Sequence, residues 1–162
     1  MTDELLVANL SDEEIAEIES EISHLPDRES AAIDALMIVQ RHRGWISDES
    51  LQAIARLLDM SAAKLDGIAT FYNLIFRRPV GRNVVMICDS VSCYIMKAES
   101  LIEKVQEKLG IQMGETTEDD RFTLLPIVCL GACDRAPTMQ INEELIGPIE
   151  PDQLDEIFAR FT

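Results

Sequence analysis

An α/β fold in two parts, an N-terminal helical bundle followed by a small mixed sheet with helices packed on it, follows from three features of the sequence. Apolar residues recur at helical spacing from Ile15 to Tyr72. Beyond the break at Arg78-Pro79-Val80-Gly81 the period shifts to short β-branched runs. Two further helical stripes, Ala98 to Leu109 and Leu154 to Phe161, alternate with those runs. The expected division is residues 1–78 for the helical region and 79–162 for the second domain.

The elements follow in order. Ser11 and Glu14 form a capping box ahead of Ile15, Ile18, Ile22 and Leu25. Ala32, Leu36 and Val39 mark a second helix ending near Gly44, where a residue without Cβ can take a left-handed C-cap. Leu51, Ile54, Ala55 and Leu58 mark a third, and Ser61 caps a fourth carrying Leu65, Ile68, Ala69 and Tyr72. Asn83 to Ile87 then reads as a buried strand, followed by a helix with Ala98, Leu101, Ile102, Val105 and Leu109 on its apolar stripe and Gly110 at its end. Met113 to Arg121 is acidic and turn-rich. Phe122 to Val128 and Thr138 to Ile141 read as strands, and Leu154, Ile157, Phe158 and Phe161 as a closing helix.

Composition narrows the function. The 47% hydrophobic content of this 162-residue chain is enough for a core without disulfide staples. Thirty acidic residues against fourteen basic ones, a formal charge of -16, would repel DNA or RNA over most of the surface. No apolar run approaches the roughly 20 residues that span a bilayer, so no direct membrane insertion is expected. Asp3 and Glu4 stand where a signal peptide carries basic residues, which makes the cytoplasm the expected compartment. In that reducing setting four cysteines read first as metal ligands or redox groups.

The cysteines fall into two close pairs, Cys88-x4-Cys93 and Cys129-x3-Cys133, each where an expected strand runs out. Two loops of this kind, side by side, would bring four sulfurs together. A [2Fe-2S] cluster takes two thiolates on each iron, so Cys88, Cys93, Cys129 and Cys133 are the candidate ligands. With two ferric irons, two sulfides and four thiolates its charge would be minus two, and hydrogen-bond donors would be needed nearby. The backbone amides around Ser90, Ser92, Gly131 and Ala132 and both serine hydroxyls are the candidates, with Gly131 free to adopt a backbone angle that turns its N–H toward sulfur. Other readings remain open. Four thiolates also suit structural zinc, whose knuckles commonly use C-x2-C spacing, and two disulfides or four unrelated thiols are the plain alternatives. The C-x2-C-x2-C run of a [4Fe-4S] site and the C-x-x-C of a thioredoxin-type catalyst are both missing.

The remaining features are weaker. No G-x-G pair and no Gly-Lys dipeptide occurs, so no dinucleotide fingerprint or P-loop is present. His24 and His42 read as solvated or cap-type residues at helix ends, and Trp45 as a packing residue. Arg77, Arg78 and Arg82 make a local basic patch, read as a solvated loop with partner docking as the alternative.

Cys88-Asp89-Ser90-Val91-Ser92-Cys93 and Val128-Cys129-Leu130-Gly131-Ala132-Cys133-Asp134-Arg135-Ala136-Pro137 resemble the two cluster-binding motifs of the thioredoxin-like [2Fe-2S] subunits of NADH:quinone oxidoreductase, respiratory complex I. Gln40 to Ile46, Gly67 to Tyr72 and Arg121 to Pro126 also resemble segments of these proteins, and the length is similar to that of their bacterial members. The resemblance covers nearly the whole chain. It implies a thioredoxin-like [2Fe-2S] ferredoxin domain after the helical region, with the cluster on Cys88, Cys93, Cys129 and Cys133. It also implies single-electron transfer within an NADH dehydrogenase, with no NADH or quinone site on this chain. FMN and NADH would sit on the adjacent NADH-binding flavoprotein, alongside the other peripheral-arm subunits of complex I, on the cytoplasmic side of the inner membrane. NAD-reducing hydrogenases and formate dehydrogenases use similar subunits. A zinc-stabilised domain and a free-standing ferredoxin are the contrasting hypotheses. Asp120 stands where members of the family often carry glycine, and Glu143 to Pro148 matches the pattern loosely.

Overall fold

The computed structural model describes residues 9–162. Asp3 and Glu4, and the reading of the N-terminus that rests on them, lie outside those residues. The chain divides between Pro79 and Val80 into two compact units. Among the described residues no helix is long and apolar enough to cross a membrane.

The first unit holds four helices, α1 (Asp12–Ile22), α2 (Ala32–Arg43), α3 (Asp48–Leu57) and α4 (Ala62–Phe71). Serine caps start three of them: Ser11 accepts from the Glu14 N–H, Ser47 from Ser50 and Ser61 from Lys64. Each cap satisfies an otherwise unpaired helix donor and contributes about 1 kcal/mol. Gly44 ends α2 at a φ of +84°, its N–H returning to the Gln40 carbonyl. α1 stops at Ile22 because Ser23, His24 and Leu25 tighten into turn bonds, yet Leu25 still packs on the core. That core is built on Ile18, Leu36, Ile46, Ile54, Leu58 and Leu65, all fully buried.

Two ionic contacts tie these helices together. The Glu14 carboxylate, almost fully buried, receives Arg43 Nε at 2.6 Å and Nη2 at 2.5 Å while closing the capping box to Ser11 N at 2.7 Å. Arg77 binds Asp66 at 2.8 Å, Asp48 at 2.6 Å and the Ile46 carbonyl. The expectation of a solvated Arg77 in a basic loop is therefore corrected: this side chain is half-buried and spent on pinning α3 and α4. His42, at the end of α2, bonds to Glu17 at 2.9 Å. Trp45 is half-buried.

In the second unit the sheet order is β2-β1-β3-β4. β1 (Asn83–Cys88) is central and buried at every position, running parallel to β2 (Phe122–Ile127) and antiparallel to β3 (Met139–Ile141). β4 (Glu144–Ile146) pairs with β3 through a two-residue turn at Asn142 and Glu143. Asn142 adopts a φ of +54°, which asparagine tolerates, and its side chain accepts from Val84 N and donates to Asn83 Oδ1. The helices are α5 (Val91–Ile95), α6 (Ala98–Leu109) and α7 (Leu154–Ala159). Val85, Ile87, Leu101, Val105, Leu124, Met139, Ile141 and Leu154 form the core, with Phe122 and Phe158 rings 5.2 Å apart. β4 and α5 were not expected from the sequence. β4 has three residues with none buried, and α5 is a five-residue helix too short to show a periodicity.

Gly81 introduces this unit, and a Cβ there would stand 2.9 Å from the Asp120 carbonyl and 3.1 Å from the Phe122 backbone. Asp120 itself sits at a φ of +53°, while its carbonyl accepts from Arg82 N at 2.9 Å. The turn thus keeps a conformation that favours glycine although the residue is aspartate. The outer edge of β2 is covered in its first half: Gly114 N donates to the Leu124 carbonyl, Leu124 N to Glu115, and Thr117 N to Phe122.

Burial tends to raise the Glu14 pKa, but hydrogen bonds from Arg43 and Ser11 N, with the charges of Arg43 and His42, hold it below the ordinary 4.5. Because the folded value is depressed, this stabilisation is present above about pH 4.5 and is lost as pH falls through the lower folded value. Glu14→Gln should cost about 1–3 kcal/mol at pH 7 in urea unfolding. The gap to the parent chain should close as the pH is lowered below the ordinary carboxylate value; a gap independent of pH would refute the charge assignment. Asp120→Gly should add about 0.5–1 kcal/mol of stability by relieving the positive φ, read as a higher urea midpoint.

Candidate metal centre

The site is built where β1 and β2 end. Their parallel register sets Cys88 opposite Ile127, so the chain leaves both strands at the same edge of the sheet. Asp89 N donates to the Ile127 carbonyl at 3.1 Å and extends the pairing one step beyond the strands. Cys93 follows in α5, while Cys129 lies in the loop after β2 and Cys133 opens a 3-10 turn, Cys133–Arg135. The two cysteine loops are consequently neighbours. Cys88 Sγ lies 3.8 Å from the Val128 carbonyl on the opposite loop, and Cys93 Sγ lies 3.6 Å from Thr138 Oγ1.

Cys88 and Cys93 are buried, whereas Cys129 and Cys133 are exposed, and all four are free thiols. Among the described residues no three His, Cys, Asp or Glu side chains gather around a point where they would hold one metal ion. The arrangement is an inner pair and an outer pair on facing loops. An all-sulfur donor set split two and two matches the ligand demand of a binuclear iron–sulfur cluster, one pair for each iron.

The sulfurs also have the donors that such a group requires. Burial raises the Cys88 thiol, but the Ser90 N–H, the Cys93 thiol, the Leu130 N–H and the Thr138 hydroxyl outweigh it and hold the group below its ordinary 9.0. Cys93 is pushed upward, chiefly by burial and by the neighbouring Cys88, against the opposing Thr138 hydroxyl. At the outer pair, Gly131 N donates to Cys129 Sγ at 3.3 Å. Gly131 has a φ of +71°, and a Cβ there would meet open space, so backbone conformation alone calls for glycine.

The expected donors Ser90 and Gly131 are thus found at sulfur through their backbone N–H groups. Among the described residues, the serine hydroxyls and the amides of Ser92 and Ala132 make no hydrogen bond to a cysteine sulfur. Leu130 and Thr138 were missed: a leucine offers only its backbone, and Thr138 lies five residues beyond the last cysteine. Its fully buried hydroxyl beside Cys93 becomes evident only when β3 is paired with β1, where Cys88 N donates to the Thr138 carbonyl at 3.2 Å.

A family model described as thioredoxin-like [2Fe-2S] ferredoxin matches residues 18–162. A Pseudomonas aeruginosa protein, named as the E subunit of NADH-quinone oxidoreductase, is 45% identical over 94% of this chain and 92% of its own length. The Escherichia coli K12 protein of the same name has the same identity and coverage. Among solved structures, an NAD+-reducing [NiFe]-hydrogenase chain shares the fold over 81% of this chain, at a TM-score of 0.70 and 21% identity, though the match spans only 22% of that chain. The chain belongs to the thioredoxin-like [2Fe-2S] ferredoxin family, alongside these relatives from NADH-quinone oxidoreductase.

Proposed function

We propose that this chain is the electron-transfer E subunit of an NADH-quinone oxidoreductase, holding one [2Fe-2S] cluster on Cys88, Cys93, Cys129 and Cys133. The observation that carries the reading is the convergence of two cysteine loops at one sheet edge, each with donors aimed at sulfur. When bound, the cluster supplies a centre that takes up and releases one electron at a time. The residues around it fix the sulfurs, offer N–H and O–H groups to their negative charge, and keep water from the inner pair.

The electrons would be exchanged with the FMN of an adjacent NADH-binding flavoprotein, the F subunit, within the peripheral arm on the cytoplasmic side of the membrane. The rim of the site supports a docked partner: Val91, Tyr94, Ile95, Met96 and Val128 are exposed apolar residues beside the thiols. No Gly-rich nucleotide motif is available on the chain itself, so hydride chemistry is assigned to the partner. The equivalent role in an NAD-reducing hydrogenase is the second reading, favoured by the fold shared with that hydrogenase chain. Isolating the native complex and identifying its catalytic subunits separates the two.

Anaerobically purified protein should carry two irons and two sulfides per chain. Its visible absorption should bleach with dithionite as a reduced-state EPR signal appears. A colourless chain with one zinc, which also fails to take up iron and sulfide, would overturn the proposal. Cys129→Ser should weaken cluster retention severalfold and alter the spectrum, because an oxygen ligand suits iron–sulfide less well than thiolate. An unshifted, full-strength spectrum in that variant would remove Cys129 from the ligand set.

A further inference from the structure

Thr138 is pinned from both sides. Its hydroxyl lies 3.6 Å from Cys93 Sγ, and on the opposite side its methyl is packed so closely on Gly147 that a Cβ there would stand 2.6 Å from Thr138 Cγ2. The same Cβ would stand 2.6 Å from the Arg135 carbonyl, in the segment joining Cys133 to β3. Real Cβ atoms essentially never approach that closely, and neither neighbour can give way cheaply. The Arg135 carbonyl is backbone, and Thr138 is a β-branched residue, stiff at χ1 and 1% exposed. Ile149 N, just beyond Gly147, donates to the Pro137 carbonyl at 3.2 Å and holds the two segments together.

We infer that Gly147 is a positioning residue for the redox site: by admitting the Thr138 methyl it aims the Thr138 hydroxyl at Cys93. The inference rests on the cluster assignment proposed above. As a ligand thiolate Cys93 carries no proton, so the hydroxyl must be the donor. A donor to a ligand sulfur stabilises the reduced cluster, which carries one more negative charge, over the oxidised one. A bulkier residue at position 147 turns the hydroxyl away or displaces the segment that carries it. Either movement disfavours reduction although no ligand has changed. Gly147 needs no positive φ, so its requirement for glycine is one of space alone.

The test is a dye-mediated anaerobic redox titration with EPR readout on the full chain, with iron and sulfide counted in every sample. Gly147→Ala should keep two irons and two sulfides while shifting the one-electron equilibrium about three- to tenfold toward the oxidised form, the range expected for one lost hydrogen bond. Thr138→Val, nearly isosteric, should shift it in the same direction. The double variant should shift no further than Thr138→Val alone, because both changes remove the same donor. Gly147→Ala with the parent potential overturns the inference, as does a shift that adds in full to that of Thr138→Val. If Gly147→Ala fails to accumulate, Thr138→Val decides by itself, and a parent potential there overturns the inference. A parent chain that holds no iron and sulfide refutes the proposed function itself, a result distinct from a loaded chain whose potential does not respond.

Discussion

The parallel pairing of β1 with β2 is the constraint on which the second unit depends. Parallel neighbours point their carboxyl ends the same way, so Cys88 and the loop carrying Cys129 and Cys133 leave the sheet at one edge although 40 residues separate Val128 from Cys88 along the chain. An antiparallel arrangement of the same two strands would send the loops to opposite ends. The fully buried sequence of β1 allows it to sit centrally with helices and strands around it, and that position also gives it β3 as its other neighbour. β3 then delivers Thr138 to the inner sulfur pair. The donor set and its hydrogen bonds are therefore products of strand order as much as of cysteine spacing.

The helical unit meets a different demand. Its charged contacts are buried in part, and such contacts are costly unless each charge is paired and further hydrogen-bonded. Glu14 meets this condition with Arg43 on one side and the Ser11 N–H on the other. Arg77 meets it with two carboxylates and a carbonyl. The basic cluster suggested by Arg77, Arg78 and Arg82 is thus divided: Arg77 serves the helices, and Arg82 bonds to the Asp119 carbonyl in the second unit.

Much of this was legible in the sequence because it was written at short range. Ser11 with Glu14, Gly44 after α2, and Gly110 after α6 announce helix ends through residues a few positions apart. The cysteine pairs could be read for the same reason. What stayed hidden depends on contacts between distant segments. Leu130 acts through a backbone N–H that any residue has, and Thr138 becomes a partner of Cys93 only once β3 is in register. Gly147 shows nothing unusual in its neighbours along the chain; its role appears only when Arg135 and Thr138 are seen pressed against it. β4 escaped because three half-exposed residues carry too little hydrophobic pattern to mark a strand.

Pro126 lies in β2, the edge strand, and is exposed. Leu124, two residues earlier and on the same side of the strand, turns its N–H outward to the Glu115 carbonyl, so the ladder to β1 loses nothing from the missing proline N–H. The first half of that outer edge is already occupied by residues 114–117, and the second half has no donor at Pro126 to offer. A second chain would find no continuous row of backbone groups to extend. At the opposite edge β4 presents only three residues. The sheet is thereby guarded against growth by strand addition at both margins, a protection against aggregation that leaves the thiol-bearing end of the strands open to a partner.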